Sequence, residues 1–191
     1  MQESGALIAV VGVWFLAHGP FGADTSIWTA SYHLGTSPLS IAALLGLALA
    51  LFGLREPQSI IAAALAAAAA VAATAFWPNV PAVTASAAVV LVGMVAVMAW
   101  TPRTLVSYLL AALAGWSAGA AADVDQPRWQ DLIGMGATVL IATFWLLAAS
   151  DNLNRSGRLP TFWPIARRVL GSWVTAMALL LTALALIGKK V

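Results

Sequence analysis

The charged residues of this chain stand in small groups separated by long uncharged gaps. No Asp, Glu, Lys or Arg occurs between Glu3 and Asp24, Asp24 and Arg55, Glu56 and Arg103, Arg103 and Asp123, Asp131 and Asp151, or Arg168 and Lys189. Gaps of this kind suit a bilayer, whose hydrocarbon core of about 30 Å takes roughly 20 helical residues at about 1.5 Å each. The gap 57–102 is long enough for two spans, with Trp77, Pro78, Asn79 and Pro81 marking the turn between them. Only 8% of the residues are charged and 62% are hydrophobic, which excludes an ordinary soluble domain with its roughly 25% charge. A closed β-barrel would require polar and apolar residues to alternate, and the runs 62–73 and 179–185 do not.

The expected fold is therefore all-α: a polytopic integral membrane bundle forming a single transmembrane domain over 1–191. About seven spans are expected, near 5–18, 38–54, 58–77, 81–101, 104–122, 131–150 and 167–188, with six if the first is a cleaved leader. Glu3 stands where a signal peptide would carry positive charge, which favours a retained helix. With seven spans, Arg55, Arg103, Arg155, Arg158, Arg167 and Arg168 share the side of the N-terminus, against Arg128, Lys189 and Lys190 opposite. The excess of Lys and Arg on cytoplasmic loops then places the N-terminus in the cytoplasm, in keeping with a bacterial inner membrane. Trp28, Trp77, Trp100, Trp129 and Trp163 fall near the ends of spans, where an indole sits well at headgroup level.

Small residues recur at helix-contact spacing. Gly115 and Gly119 lie one turn apart, and Gly134 with Gly136 offers a second close-contact face. Gly46 and Gly53 form a further small-residue pair. The alanine-rich stretch 62–73 is weakly hydrophobic for a lipid-facing helix and suits a central one.

Groups able to carry chemistry are few. His18 and His33 are the two histidines, and with Asp24, Asp123, Asp125 and Asp131 they fall on the expected outer side. His18, Asp24, His33, Asp123 and Asp125 form a candidate outer vestibule for a divalent cation, through local negative potential. The alternative is a solvated acidic loop in which Asp serves turn formation. The spans hold hydroxyls such as Thr74, Ser117, Thr138 and Thr143, whose simplest role is a bond to a carbonyl one turn back. Cysteine is absent, so disulfides and thiolate sites are excluded. Nucleophile-elbow and glycine-rich phosphate motifs are missing too, and no enzyme activity is expected. The net charge of +2 is too small to indicate a nucleic-acid partner; membrane lipids and other membrane subunits are the expected partners.

The order of features resembles the HupE/UreJ family, the hydrogenase and urease accessory membrane proteins that act as small nickel or cobalt permeases. Ala17-His18-Gly19 is similar to the Ala-His that opens the mature family chain, and Tyr32-His33-Leu34-Gly35 follows. The family motif His-Pro-x-x-Gly-x-Asp-His matches at His33, whereas Leu34 replaces the proline, and Leu39 and Ser40 replace the aspartate and second histidine. A later motif, His-Gly-x-Ala-His-Gly-x-Glu, aligns with Ala114-Gly115-Trp116-Ser117-Ala118-Gly119-Ala120-Ala121, keeping both glycines and losing both histidines and the glutamate. Arg167-Arg168-Val169-Leu170-Gly171-Ser172 would open the last helix of such a chain.

The resemblance implies a divergent member whose scaffold remains while most nickel ligands have become groups that cannot bind it. The function this implies is a non-catalytic structural or accessory subunit without a cofactor. Nickel or cobalt enters only if transport persists through the outer vestibule. An apolar groove for a pigment or lipid is a further alternative, since such grooves leave no motif.

Overall fold

In the computed structural model the described residues are 26–52, 54–77, 80–98, 102–122, 124, 127–155 and 162–188. They form seven α-helices: α1 (Ser26–Thr36), α2 (Pro38–Ala50), α3 (Glu56–Phe76), α4 (Ala82–Val97), α5 (Thr104–Ala121), α6 (Trp129–Arg155) and α7 (Trp163–Gly188). There is no strand among the described residues. Four helices, α3, α5, α6 and α7, are long and apolar enough to cross a membrane, while α2 and α4 are shorter apolar helices. The protein is an α-helical membrane bundle.

Six of the expected spans coincide with α2 to α7. The seventh, 5–18, lies outside the described residues, as do Gly53, Trp100, Lys189 and Lys190. The stretch expected to be a loop before the second span is instead α1, an 11-residue helix. It is too short and too polar to read as a span, and its place is set by α6, where Ser31 Oγ and Thr138 Oγ1 lie 2.7 Å apart. Helix α6 also runs past its expected limits. At its start Asp131 accepts the backbone N–H of Arg128 at 2.8 Å, closing the first turn as a capping-box acid does. At its end Asp151 and Arg155 form an i,i+4 ion pair at 2.6 Å, so the last turn carries charge without leaving it single.

Two seams of small residues hold the bundle. In the first, α3 and α5 run parallel, with Ala62, Ala66 and Ala70 facing Ala111, Gly115 and Gly119, all buried. A methyl group placed on Gly115 would lie 2.6 Å from Cα of Ala66, and one on Gly119 would lie 2.8 Å from Cα of Ala70. Here backbone touches backbone, which only the absence of a side chain allows. Thr74 Oγ1 closes the far end of this seam, donating to the carbonyls of Ala70 at 3.0 Å and Gly119 at 3.3 Å.

In the second seam, α4 and α7 run antiparallel. A Cβ on Gly171 would sit 2.9 Å from the backbone nitrogen of Val97, and one on Gly93 would press on the Thr175 hydroxyl. Ser86 and Thr182 hydroxyls meet at 2.6 Å farther along. Helix α6 covers the other side of α3, where Gly136 lies against Val71. Gly134 is buried, and its carbonyl accepts from Thr138 Oγ1 at 2.8 Å.

Helix α2 joins the seams. Its Leu44, Leu47 and Ala50 belong to the core built by α3, α5 and α6 with Val92 and Ala96 of α4, and its Leu39, Ala42 and Ala43 to the core built by α4 and α7 with Ala118 of α5. Helix α7 is peripheral: Trp173, Leu180 and Leu184 point outward, while Gly171, Val174 and Ala178 face in.

The first seam predicts a contrast between glycines. Gly119→Ala should lower stability by about 1–3 kcal/mol, because the added methyl meets backbone that cannot step aside. Gly35, which has nothing within 4 Å of a built Cβ, should accept alanine with no loss or a gain of up to about 1 kcal/mol. Thermal unfolding of the two variants in one detergent would check this, and equal effects would show that the seam is not close-packed.

Candidate functional site around the central short helix

Helix α2 has 13 residues and spans about 20 Å, well short of the roughly 30 Å of a hydrocarbon core. Short or interrupted hydrophobic helices inside a bundle are where membrane proteins place backbone polar groups within reach of ligands. Toward each end, α2 is fastened to a neighbouring helix by a polar contact.

At its start, Ser37 is the N-cap, extended in backbone, and its hydroxyl accepts the Ser40 N–H at 3.3 Å. Pro38 occupies the first turn, where its missing N–H costs nothing. Ser40, fully buried, donates through Oγ to the Ala118 carbonyl of α5 at 3.0 Å. Leu39 and Ala118 belong to one buried cluster, against which Ala121 packs. Ala114, one turn away on α5, is fully buried in the adjoining cluster.

At the other end, the last carbonyls of α2 would be orphans in an apolar setting, where each unpaired polar group is costly. Arg167, one turn into α7 and buried, reaches across. Its Nε donates to the Leu49 carbonyl at 2.6 Å and its Nη2 to the Ala50 carbonyl at 3.0 Å. A guanidinium at a helix C-terminus also meets the negative end of the helix dipole. Expected among the loop cations, Arg167 is instead a structural group within the bundle. Its spacing carried no sign of this, since backbone carbonyls leave no trace in a sequence. Nearby, Trp163 is half-buried with its ring centroid 5.0 Å from that of Phe52, and its indole nitrogen is buried without a hydrogen-bond partner. This indole packs against the α2–α3 connection.

The other expected anchors differ. Trp77 and Trp129 are exposed at helix ends, as an interfacial indole would be. Trp28 lies in α1 with its side chain outside what the structure describes. Of the proposed vestibule, only His33 is described; His18, Asp24, Asp123 and Asp125 lie outside the described residues. His33 is exposed on α1, with its ring 6.1 Å edge-on to Tyr32. Among the described residues no three His, Cys, Asp or Glu side chains come together as a metal site would need. Asp131, the remaining acid of that side, is engaged with the Arg128 N–H.

The hydroxyls within the spans are spent on structure. Ser117 and Ser150 donate to carbonyls three residues back, at 2.9 and 2.7 Å. Thr143 Oγ1, by contrast, is buried with no partner.

Fold and site together define an α-helical integral membrane protein with lipid-facing helices. Comparison with protein-family models, with curated proteins and with solved structures finds no significant match to this chain.

Removing the cap on α2 gives a paired test. Arg167→Leu should cost at least about 1.5–3 kcal/mol, the range for a hydrogen bond to a charged group. Arg168→Leu, at the exposed neighbour, should shift stability by no more than about 0.5 kcal/mol. Thermal midpoints measured side by side would decide it, and similar values would mean that α2 needs no cap.

Proposed function

We propose that this chain is a non-catalytic structural or accessory subunit of a larger membrane assembly, built on a scaffold like that of the HupE/UreJ proteins. The observation that carries the reading is the contact between Ser40 and Ala118. In the family alignment these positions correspond to the second histidine of the first motif and the second histidine of the later one. Two positions 78 residues apart in the chain, linked only by that alignment, meet across α2 and α5.

Around them the alignment puts an aspartate at Leu39, a histidine at Ala114 and a glutamate at Ala121. Here those positions carry alkyl side chains beside one hydroxyl that is bonded to backbone. Nickel and cobalt call for imidazole or carboxylate donors, and this set offers none. The space that ligands would need is filled by helix contact, which favours a scaffold over a path. The outward apolar faces of α7 and α3, including Trp173, Leu180, Ile61 and Leu65, supply surfaces for lipid and for neighbouring subunits.

The orientation is proposed from charge. Arg55, Arg103 and Arg168 lie at the end formed by the starts of α3, α5 and α7, and Arg155 lies there at the end of α6. Arg128 lies at the opposite end. The excess of basic residues marks the first end as cytoplasmic, in a bacterial inner membrane.

Gentle extraction followed by native mass measurement is the test. The 19.7 kDa chain should travel within a heavier complex with other membrane subunits, and a stable lone monomer would overturn the reading. Vesicles holding the purified protein should take up neither nickel nor cobalt; uptake that falls with His33→Ala would instead favour the transporter. A coloured preparation would favour the pigment-binding alternative.

A further inference from the structure

The end of the bundle read as cytoplasmic carries an open cleft of about 260 Å³ between the last turns of α6 and the first turns of α3. Its lining is Ser59 on α3, and Phe144, Ala148, Asp151, Asn152 and Arg155 on α6. The α6 residues follow at i, i+4, i+7, i+8 and i+11, so they form one stripe down one helix face. The stripe is ordered by polarity. Phe144 and Ala148 lie toward the middle of the bundle, and Asp151, Asn152 and Arg155 lie toward the membrane surface, about 16 Å from first to last. A site for a water-soluble ligand has no need of an apolar half extending into the bilayer. A site for an amphiphile does.

The polar half also selects among headgroups. The Asp151 side chain is 12% exposed and that of Arg155 is 61% exposed, with Nη2 of Arg155 2.6 Å from Oδ2 of Asp151. A sheltered carboxylate next to a reachable guanidinium is balanced in charge, which disfavours a purely anionic headgroup. It offers an acceptor for an ammonium and, beside it, a donor array of the kind that holds phosphate. The Ser59 hydroxyl donates to the Arg55 carbonyl at 3.2 Å, and its oxygen can still accept. Asn152 adds an amide. These groups complement a headgroup that is both a hydrogen-bond-donating cation and a phosphate.

We infer that the cleft between α3 and α6 is a binding site for a phospholipid with a primary ammonium headgroup, the ammonium on Asp151 and the phosphate on Arg155. Phe144 and Ala148 contact the start of an acyl chain. A choline headgroup fits less well, because its quaternary nitrogen has no N–H to give to Asp151. This assignment is independent of the scaffold reading and of any partner subunit.

The test uses the full chain in vesicles of mixed phosphatidylethanolamine, phosphatidylcholine and phosphatidylglycerol, followed by extraction and native mass measurement of retained lipid. Phosphatidylethanolamine should be retained about tenfold over phosphatidylcholine, the discrimination expected for one charge-assisted hydrogen bond. Asp151→Asn should remove that preference, Arg155→Gln should lower retention of every phospholipid, and Arg168→Gln at the same end should change neither. Soluble phosphoethanolamine should compete poorly, since it leaves the apolar half of the cleft unused. Equal retention of the three lipids, a preference for phosphatidylglycerol, or full competition by phosphoethanolamine would overturn the assignment. If a variant fails to fold, the ranking of the three lipids on the unaltered protein decides alone.

Discussion

The rest of the bundle depends on the approach of the α3 backbone to the α5 backbone at Ala66–Gly115 and Ala70–Gly119. Lipid tails are as apolar as leucine, so burying large side chains gives membrane helices little reason to associate. What remains is dispersion between surfaces that fit and polar contacts that lipid cannot offer. Glycine and alanine maximise the first by bringing whole backbones into contact. That explains how α3, so rich in alanine, can sit at the centre: its value lies in what its residues omit. Once α3 and α5 are joined, α6 closes on another face of α3 and α2 lies against α5, and the paired α4 and α7 attach through α2 and through the direct contact of α4 with α5.

Much of this was written in the spacing of charges. Because Asp, Glu, Lys and Arg are excluded from the hydrocarbon, their gaps outline the apolar parts of α3 to α7, and the pair Gly115 and Gly119 points to one seam from spacing alone. The second seam was harder to see. Gly93 and Gly171 stand on different helices, and no local pattern says that they share an interface. Helix α1 was invisible for a different reason. Ser26, Thr29, Ser31, His33 and Thr36 make it too polar to read as a span, and 11 residues are too few to cross. Its hold on α6 through Ser31 and Thr138 is a tertiary fact that hydropathy cannot encode.

The limits of α6 and α7 show where the hydropathy argument stops. Charge was taken as the end of a helix, yet α6 continues through Asp151 to Arg155 and α7 begins before Arg167. A charged residue ends the apolar window without ending the hydrogen-bonded backbone. In α6 the two charges neutralise each other one turn apart, and in α7 Pro164 fits the first turn, where no N–H is required. The polar end of α6, which lies beyond the expected span 131–150, is thereby the wall of a cleft.

Arg167 and Ser37 settle a problem that a short helix in a membrane must solve at both ends. A helix that crosses fully can leave its terminal carbonyls and N–H groups to water and headgroups. Helix α2 is too short for that: α7 supplies a guanidinium for two of its last carbonyls, its own N-cap Ser37 accepts the Ser40 N–H, and the Ser40 hydroxyl adds a side contact to a carbonyl of α5. The two contacts with neighbouring helices differ in kind. The Ser40 contact joins neutral groups, and its hydroxyl could return to a carbonyl of its own helix at small cost. The arginine contact has no such retreat inside the bundle, because a separated guanidinium would need water that the packed neighbours exclude.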